Sequence, residues 1–302
     1  PIIVLGGAFV EQGDSVLEHD LIPVVYNLES AQALARSAAA GGTTIKVHIK
    51  IDTGMGRLGL LPGQIPSFFQ ELSKLKGLEI NGVLTHLADT NGDSDAGNEF
   101  TRRQIELFQQ SIEDLSHMGI HPPYTHLANS AAIMADVSHA CNLVRPGIML
   151  YGIHPSKGMK RTIGLEPVMR LTSRIVSLKE VPRGTTISYG RTFTCERESR
   201  IAALPIGYAD GYSRALSNRG EVLVQGRRAR IAGVICMDMT MIDVTGIPGV
   251  ALYDEAVLLG SQGTEQITAQ EIAGLTHTIP YEVLCAVSAR VPRAYYKTGR
   301  LV

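Results

Sequence analysis

Lys46-Val47-His48-Ile49-Lys50-Ile51-Asp52 alternates polar and apolar side chains, then runs into Thr53-Gly54-Met55-Gly56-Arg57. An alternating run of this length reads as a β-strand with two different faces. Val47, Ile49 and Ile51 suit a face covered by helices. Lys46, His48, Lys50 and Asp52 then share the opposite face. If that face is the lumen of a closed barrel, these groups need partners, because an unpaired charge out of water costs several kcal/mol. An edge strand with a solvated face is the competing reading.

Working outward, the same unit recurs: a short apolar run, turn residues, then a helical stretch. Further strand candidates are Ile2–Leu5, Ile22–Tyr26, Ile80–Thr85, Tyr124–Leu127 and Leu143–Tyr151, with Ile45–Ile51 among them. Helices are expected over Ser30–Ala40, Ile65–Ser73, Thr101–Met118 and Ser130–Ala135, and less clearly after Leu5. Strand, helix, strand in succession implies parallel strands with right-handed crossovers. Leu5-Gly6-Gly7-Ala8 is not the glycine fingerprint of a dinucleotide-binding sheet. The expected fold is therefore α/β: a (β/α)8 TIM-like barrel with six of its eight units visible, over residues 1–163. At roughly 30 residues per unit, two further units of about 60–80 residues in all are expected before Pro1. A native six-stranded open sheet is the alternative. From 164 to 302 the runs turn short and rich in Thr, Val, Ile and Arg, which predicts a mostly-β C-terminal domain.

Composition narrows the function classes. Lys and Arg number 28 against 29 Asp and Glu, so no electrostatic footprint for nucleic acid exists. No apolar run is long enough for a membrane span and no export signal is visible. Cys141, Cys195, Cys236 and Cys285 are scattered, which reads as reduced thiols in a cytoplasmic protein.

Polar residues gather at the C-terminal ends of the expected strands, where barrels of this kind build active sites. Asp52-Thr53-Gly54 follows one strand, Thr85-His86 another, and His126 with Asn129 and Ser130 a third; Arg145-Pro146-Gly147 interrupts the last. Ser130 at a helix start, with the Gly147 and Ile148 amides, could hold a phosphate. A plain N-cap is an equal reading of Ser130. Arg145 has no acceptor in its own segment, so a ligand nitrogen or carboxylate could supply one.

Lys50-Ile51-Asp52-Thr53-Gly54-Met55-Gly56-Arg57-Leu58-Gly59 resembles the alanine racemase signature. So do His126-Leu127-Ala128-Asn129-Ser130-Ala131, Arg145-Pro146-Gly147-Ile148, Ser188-Tyr189-Gly190, Pro205-Ile206-Gly207-Tyr208-Ala209-Asp210-Gly211, Cys236-Met237-Asp238, Tyr281-Glu282-Val283 and Arg290-Val291-Pro292-Arg293. These matches follow the family's order from its third barrel strand to the C-terminus. The family's first-strand motif, which carries the lysine that forms a Schiff base with the cofactor, has no counterpart among these lysines.

The resemblance implies a pyridoxal 5'-phosphate enzyme interconverting L- and D-alanine, which supplies D-alanine to the bacterial cell wall. It implies a homodimer with shared active sites. Tyr189 would be one catalytic base, contributed to the partner's site, and the first-strand lysine the other; the 302 residues alone would be inactive. Arg57 would bind the substrate carboxylate and Met237 narrow the pocket. Arg145 would face the pyridine nitrogen. Two cations about 3 Å apart repel by roughly 5 kcal/mol at an effective dielectric of 20, so that nitrogen would stay unprotonated. Ser130, Gly147, Ile148 and Tyr281 would hold the phosphate, with His86 and Asn129 also on the cofactor. Lys50, in carbamylated form, would orient Arg57; His126 would support Arg145; Asp238 would flank Met237, and Tyr208 line the entrance. A fold-type III decarboxylase lacks support, since its Cys-x-x-x-Asp motif is missing. A serine racemase of the same family and a non-catalytic pyridoxal-phosphate barrel remain as alternatives.

Overall fold

Val47, Ile49 and Ile51 are fully buried in one apolar cluster, and the strand that carries them lies inside a sheet. In the computed structural model the described residues are 1–90, 95–137, 141–156, 163–297 and 300–302. Contacts divide them into two units, Pro1–Leu150 with His154–Gly164, and Tyr151–Ile153 with Leu165–Val302. Residues 157–162, just before the domain boundary expected at 163, lie outside the described residues.

The first unit is a parallel sheet in sequence order: β1 (Ile2–Val4), β2 (Leu21–Val25), β3 (Ile45–Lys50), β4 (Leu78–Leu84) and β5 (Tyr124–His126). It has the half-barrel form of the expected α/β fold. With β2 and β4 on either side, β3 is not an edge strand. Between the strands run α1 (Gly13–Glu18), α2 (Leu28–Ala40), α3 (Ile65–Leu72) and α4 (Asp95–His117), and α5 (Ser130–Met134) follows β5. Asn27 starts α2 by accepting the Ser30 amide at 2.8 Å. On α3 the i, i+3, i+4, i+7 set Ile65, Phe68, Phe69 and Leu72 is buried against the sheet cluster. Burying each contributes roughly 1.5–3 kcal/mol.

Three expectations are corrected here. Leu143–Tyr151 is not a sixth strand. It lies beside β5, with the Asn142 and Leu143 amides donating to the Thr125 carbonyl and the Arg145 amide to that of Ala128. Pro146 then has no N–H to extend a ladder, and Ile148–Tyr151 turns into a 3-10 helix. Lys46 does not face an enclosed lumen; it is exposed, whereas His48, Lys50 and Asp52 are buried. The N-cap of α5 is Asn129, whose Oδ1 accepts the Ala132 amide at 3.0 Å, and not Ser130.

The second unit is the mostly-β domain. Its main sheet runs β15 (Glu265–Ile267), β14 (Glu255–Gln262), β11 (Glu221–Val224), β12 (Arg227–Ile231), β13 (Thr240–Asp243), β10 (Ser199–Leu204), β7 (Ser177–Val181), with β6 (Leu171–Arg174) also on β14. All of these pairings are antiparallel. A small ladder, β8 (Thr186–Ile187) with β9 (Phe193–Thr194), flanks Tyr189. The strand-rich texture hides two helices, α6 (Ala269–Thr276) and α7 (Pro280–Ala286). Tyr296–Lys297 and Arg300–Leu301 form a terminal pair, β16 and β17.

Candidate active site

Glycines shape the loop after β3. Asp52 Oδ1 accepts the amides of Gly54 and Gly56 at 2.9 and 3.1 Å, closing the turn. Gly54 and Gly56 both have positive φ, which side-chain-bearing residues rarely adopt. This turn presents Arg57 in an exposed position beside the buried Lys50. Burial, then the charges of Arg57 and Arg145, hold the Lys50 ammonium below its ordinary range.

Arg145 is the hub. Its Nη1 meets His126 Nδ1 at 2.6 Å, and its Nη2 donates to the carbonyls of Thr85 at 2.7 Å and Leu127 at 3.0 Å. His86 Nδ1 lies 3.4 Å from Nη2. Neighbouring strands therefore supply the acceptors that its own segment lacks. These bonds leave its Nε–H and one Nη1–H without a partner among the described residues. Burial lowers its pKa to about 10, so it stays cationic near neutrality. The same burial and the Arg145 charge push His126 down to about 3. Burial, Arg145, Arg57 and Lys50 push His86 down to about 4. Both imidazoles are neutral at pH 7. His126 in turn lies 2.8 Å from His48, which lies 3.4 Å from Asn81.

Because Asn129 caps α5, the Ser130 hydroxyl is available to the next segment. It accepts the Gly147 amide at 2.8 Å and the Met149 amide at 3.4 Å, and its own O–H remains to donate. A side chain at Gly147 would meet only Ser130 Oγ, at 3.8 Å, so this cradle is open. Open backbone, a donor hydroxyl and an Arg with spare donors fit a group that has a phosphate at one end and a ring nitrogen at the other. A ring acceptor there needs the histidines uncharged, as they are.

Gln104, fully buried on α4, was not singled out from the sequence. It receives the Ala88 amide at 2.9 Å and donates to the His86 carbonyl at 3.2 Å, and Thr53 and Thr85 share a hydroxyl bond at 2.8 Å. The signal available was a Gln on the stripe of Phe108, Ser111 and Leu115, all buried.

In the second unit, Tyr189 is 72% exposed and sits between Ser188 and Arg191, both at positive φ. Ser188 Oγ anchors the turn by donating to the Val234 carbonyl at 2.6 Å. Met237 and Asp238 are also exposed, on a segment whose Cys236 and Met237 carbonyls accept the Tyr208 and Ala209 amides at 3.1 and 3.0 Å. Arg290 donates to Asp238 at 2.6 Å and pairs with Asp210 at 3.4 Å, a tie that sequence reading missed. Tyr281 is on α7, and partial burial raises its phenol, keeping it a neutral donor. Of the expected residues, Lys50, Arg57, His86, His126, Asn129, Ser130, Arg145, Gly147 and Ile148 belong to the first unit. Tyr189, Tyr208, Met237, Asp238 and Tyr281 belong to the second.

The chain is similar to known proteins along almost its whole length. Residues 1–155 match the family model described as alanine racemase, N-terminal domain, and 168–295 match alanine racemase, C-terminal domain. The chain is 47% identical over 295 residues to the alanine racemase of Halothermothrix orenii, covering 98% of this chain and 77% of that one. It is 42% identical to that of Geobacter sp. strain M21, covering 98% and 79%. Among solved structures, alanine racemase of Clostridium difficile 630 superposes with TM-score 0.92 at 36% identity, covering 100% of this chain and 78% of that one. Alanine racemase of Bacillus anthracis with bound L-Ala-P superposes with TM-score 0.92 at 35% identity, covering 100% and 77%.

Proposed function

Since the chain belongs to the alanine racemase family, whose members depend on pyridoxal phosphate, we propose that it interconverts L- and D-alanine with that cofactor. The observation that carries this reading is Arg145, cationic, held by three protein acceptors and flanked by neutral histidines, with donors to spare.

When bound, pyridoxal phosphate supplies the electron withdrawal that acidifies Cα of an amino acid. Arg145 would present a positive charge to the ring nitrogen of that group, which would disfavour its protonation and limit competing chemistry. The Ser130 hydroxyl, the Ile148 amide and Tyr281 would hold the phosphate, joined by the Gly147 amide once it gives up its present bond to Ser130 Oγ; His86 and Asn129 would line the ring. Arg57 binds the substrate carboxylate. Racemisation needs one proton group on each face of Cα. Tyr189 would move the proton on one face. A lysine at the family's first-strand motif would move it on the other. Met237 narrows the pocket, with Asp238 beside it, and Tyr208 lines its entrance. Lys50 carries a carbamate that orients Arg57.

Exposure of Tyr189, Met237 and Asp238 supports a head-to-tail homodimer in which these residues complete the partner's site. Four free thiols support a cytoplasmic enzyme, and among the described residues no helix is long and apolar enough to cross a membrane. D-Alanine for bacterial peptidoglycan is the product such an enzyme supplies.

The test is an enantiomer assay with Ala, Ser and Lys in the presence of pyridoxal phosphate, comparing wild type with Arg145→Gln and Tyr189→Phe. D-Alanine as the preferred product, with Tyr189→Phe reduced by about 10²–10⁴, is expected. Preference for serine would move the assignment to a serine racemase, and no turnover of any substrate with cofactor bound would favour a non-catalytic barrel.

A further inference from the structure

Asn81 and His48 lie beyond every role assigned above, yet the backbone is built around them. In the β3–β4 ladder Val47 pairs with Ile80 and His48 with Gly82, so Asn81 is the extra residue of a bulge. Bulges re-aim side chains, and this one brings Asn81 Oδ1 to 3.4 Å from His48 Nε2. A methyl on Gly82 would run into Cε1, Nδ1 and Nε2 of the His48 ring, so the glycine makes the ring's space. His48 and His126 are fully buried and Asn81 nearly so.

The proton positions in this row follow from one end. Arg145 is a cation that can only donate. His126 Nδ1, 2.6 Å from its Nη1, must then accept, which puts the His126 proton on Nε2. That proton faces His48 Nδ1 at 2.8 Å, which must also accept, leaving the His48 proton on Nε2 toward Asn81. An amide oxygen at the far end completes the row without adding charge. Any other pair of tautomers sets two hydrogens against each other at one of these short contacts.

We propose that Asn81 and His48 are positioning residues for Arg145, acting through His126. The bulged amide and the imidazole row hold His126 as an acceptor toward the guanidinium, which keeps the spare donors of Arg145 aimed at its ligand. The burial that keeps both imidazoles neutral is consistent with this. The inference deepens the cofactor reading of Arg145 and rests on it for the identity of the ligand.

Histidine-selective ¹⁵N labelling with two-bond ¹H–¹⁵N correlation reads the tautomers directly at pH 7. In the wild-type protein both His48 and His126 are expected neutral with the proton on Nε2. A proton on Nδ1 of either ring, or two protons on either, would overturn the proposal without any variant. Asn81→Asp is nearly isosteric but anionic, and is expected to draw a second proton onto His48, turn His126 toward the Nδ1–H form and weaken pyridoxal phosphate binding roughly tenfold, the scale of one lost hydrogen bond. Gly82→Ala adds no charge but displaces the His48 ring, and is expected to break the His48–His126 contact, release the His126 tautomer and weaken cofactor binding to a similar extent. Unchanged His126 tautomer and unchanged cofactor affinity in a folded Asn81→Asp protein would reject the positioning role. Should the tautomers behave as described while Arg145→Gln binds pyridoxal phosphate normally, the row stands and the cofactor reading of Arg145 fails.

Discussion

At the scale of single residues, charge and burial decide what Lys50, His86 and His126 do. Lys50 shares its surroundings with two arginines, and its amine loses its proton more readily than a free lysine's. A neutral amine is the form that adds carbon dioxide, and the resulting carbamate replaces repulsion of Arg57 by attraction. Density or a ¹³C resonance for a carbamate on Lys50, growing with bicarbonate and with rising pH, is expected; a bare ammonium at high bicarbonate would reject it. The two histidines carry the opposite consequence for acid stability. Both are neutral in the fold, with pKa values of about 4 and about 3, against 6.5 unfolded. Between those limits the unfolded chain binds more protons, so stability is intact above pH 6.5 and falls as pH drops. Each contributes a slope of at most about 1.4 kcal/mol per pH unit. Urea midpoints from pH 7 to 5 should fall, and less steeply in His126→Gln; equal slopes would show that folding does not lower the His126 pKa.

At the scale of elements, short backbone contacts carry the site. Gly207 leaves room for the carbonyls of Cys236 and Met237, which a Cβ would strike, and its amide is held by Asp210 at 2.9 Å. Gly207→Ala is therefore expected to cost about 1–3 kcal/mol and to shift Met237 away from its place. If Met237 sets pocket width, the variant gains serine turnover relative to alanine. Measured selectivity unchanged, with stability lowered, would leave Met237 without that role. The β4 bulge works by the same economy of space. Asn-Gly ordinarily marks a turn, but at positions 81 and 82 it sits within a paired strand, where it re-aims one side chain and admits another.

At the scale of the molecule, each unit has its own apolar core, and the expected residues are divided between the two. A shared active site predicts complementation: mixing inactive Tyr189→Phe protomers with inactive Arg145→Gln protomers should restore activity, because one of the two sites in each mixed dimer carries neither change. Recovery approaching a quarter of wild type is expected for random mixing of fully inactive variants, by the arithmetic of closed two-fold assembly. No recovery, with mixed dimers demonstrated, would confine Tyr189 and Arg145 to one subunit's site.

The sequence by itself determined the parallel α/β order and the later β texture, because alternation in Ile45–Ile51 and the stripe of α3 report which faces are buried. It also marked His126, Arg145 and Ser130, since polar residues at strand ends have few structural uses. Tertiary structure alone decided that Leu143–Tyr151 is not a strand, for an apolar run does not reveal whether its amides find a ladder. It alone turned the α5 cap from Ser130 to Asn129, two residues equally able to cap, and so released the serine hydroxyl to Gly147. And only three-dimensional contact joins Arg145, His126, His48 and Asn81, since hydrogen bonds between strands depend on register, which a bulge of one residue resets.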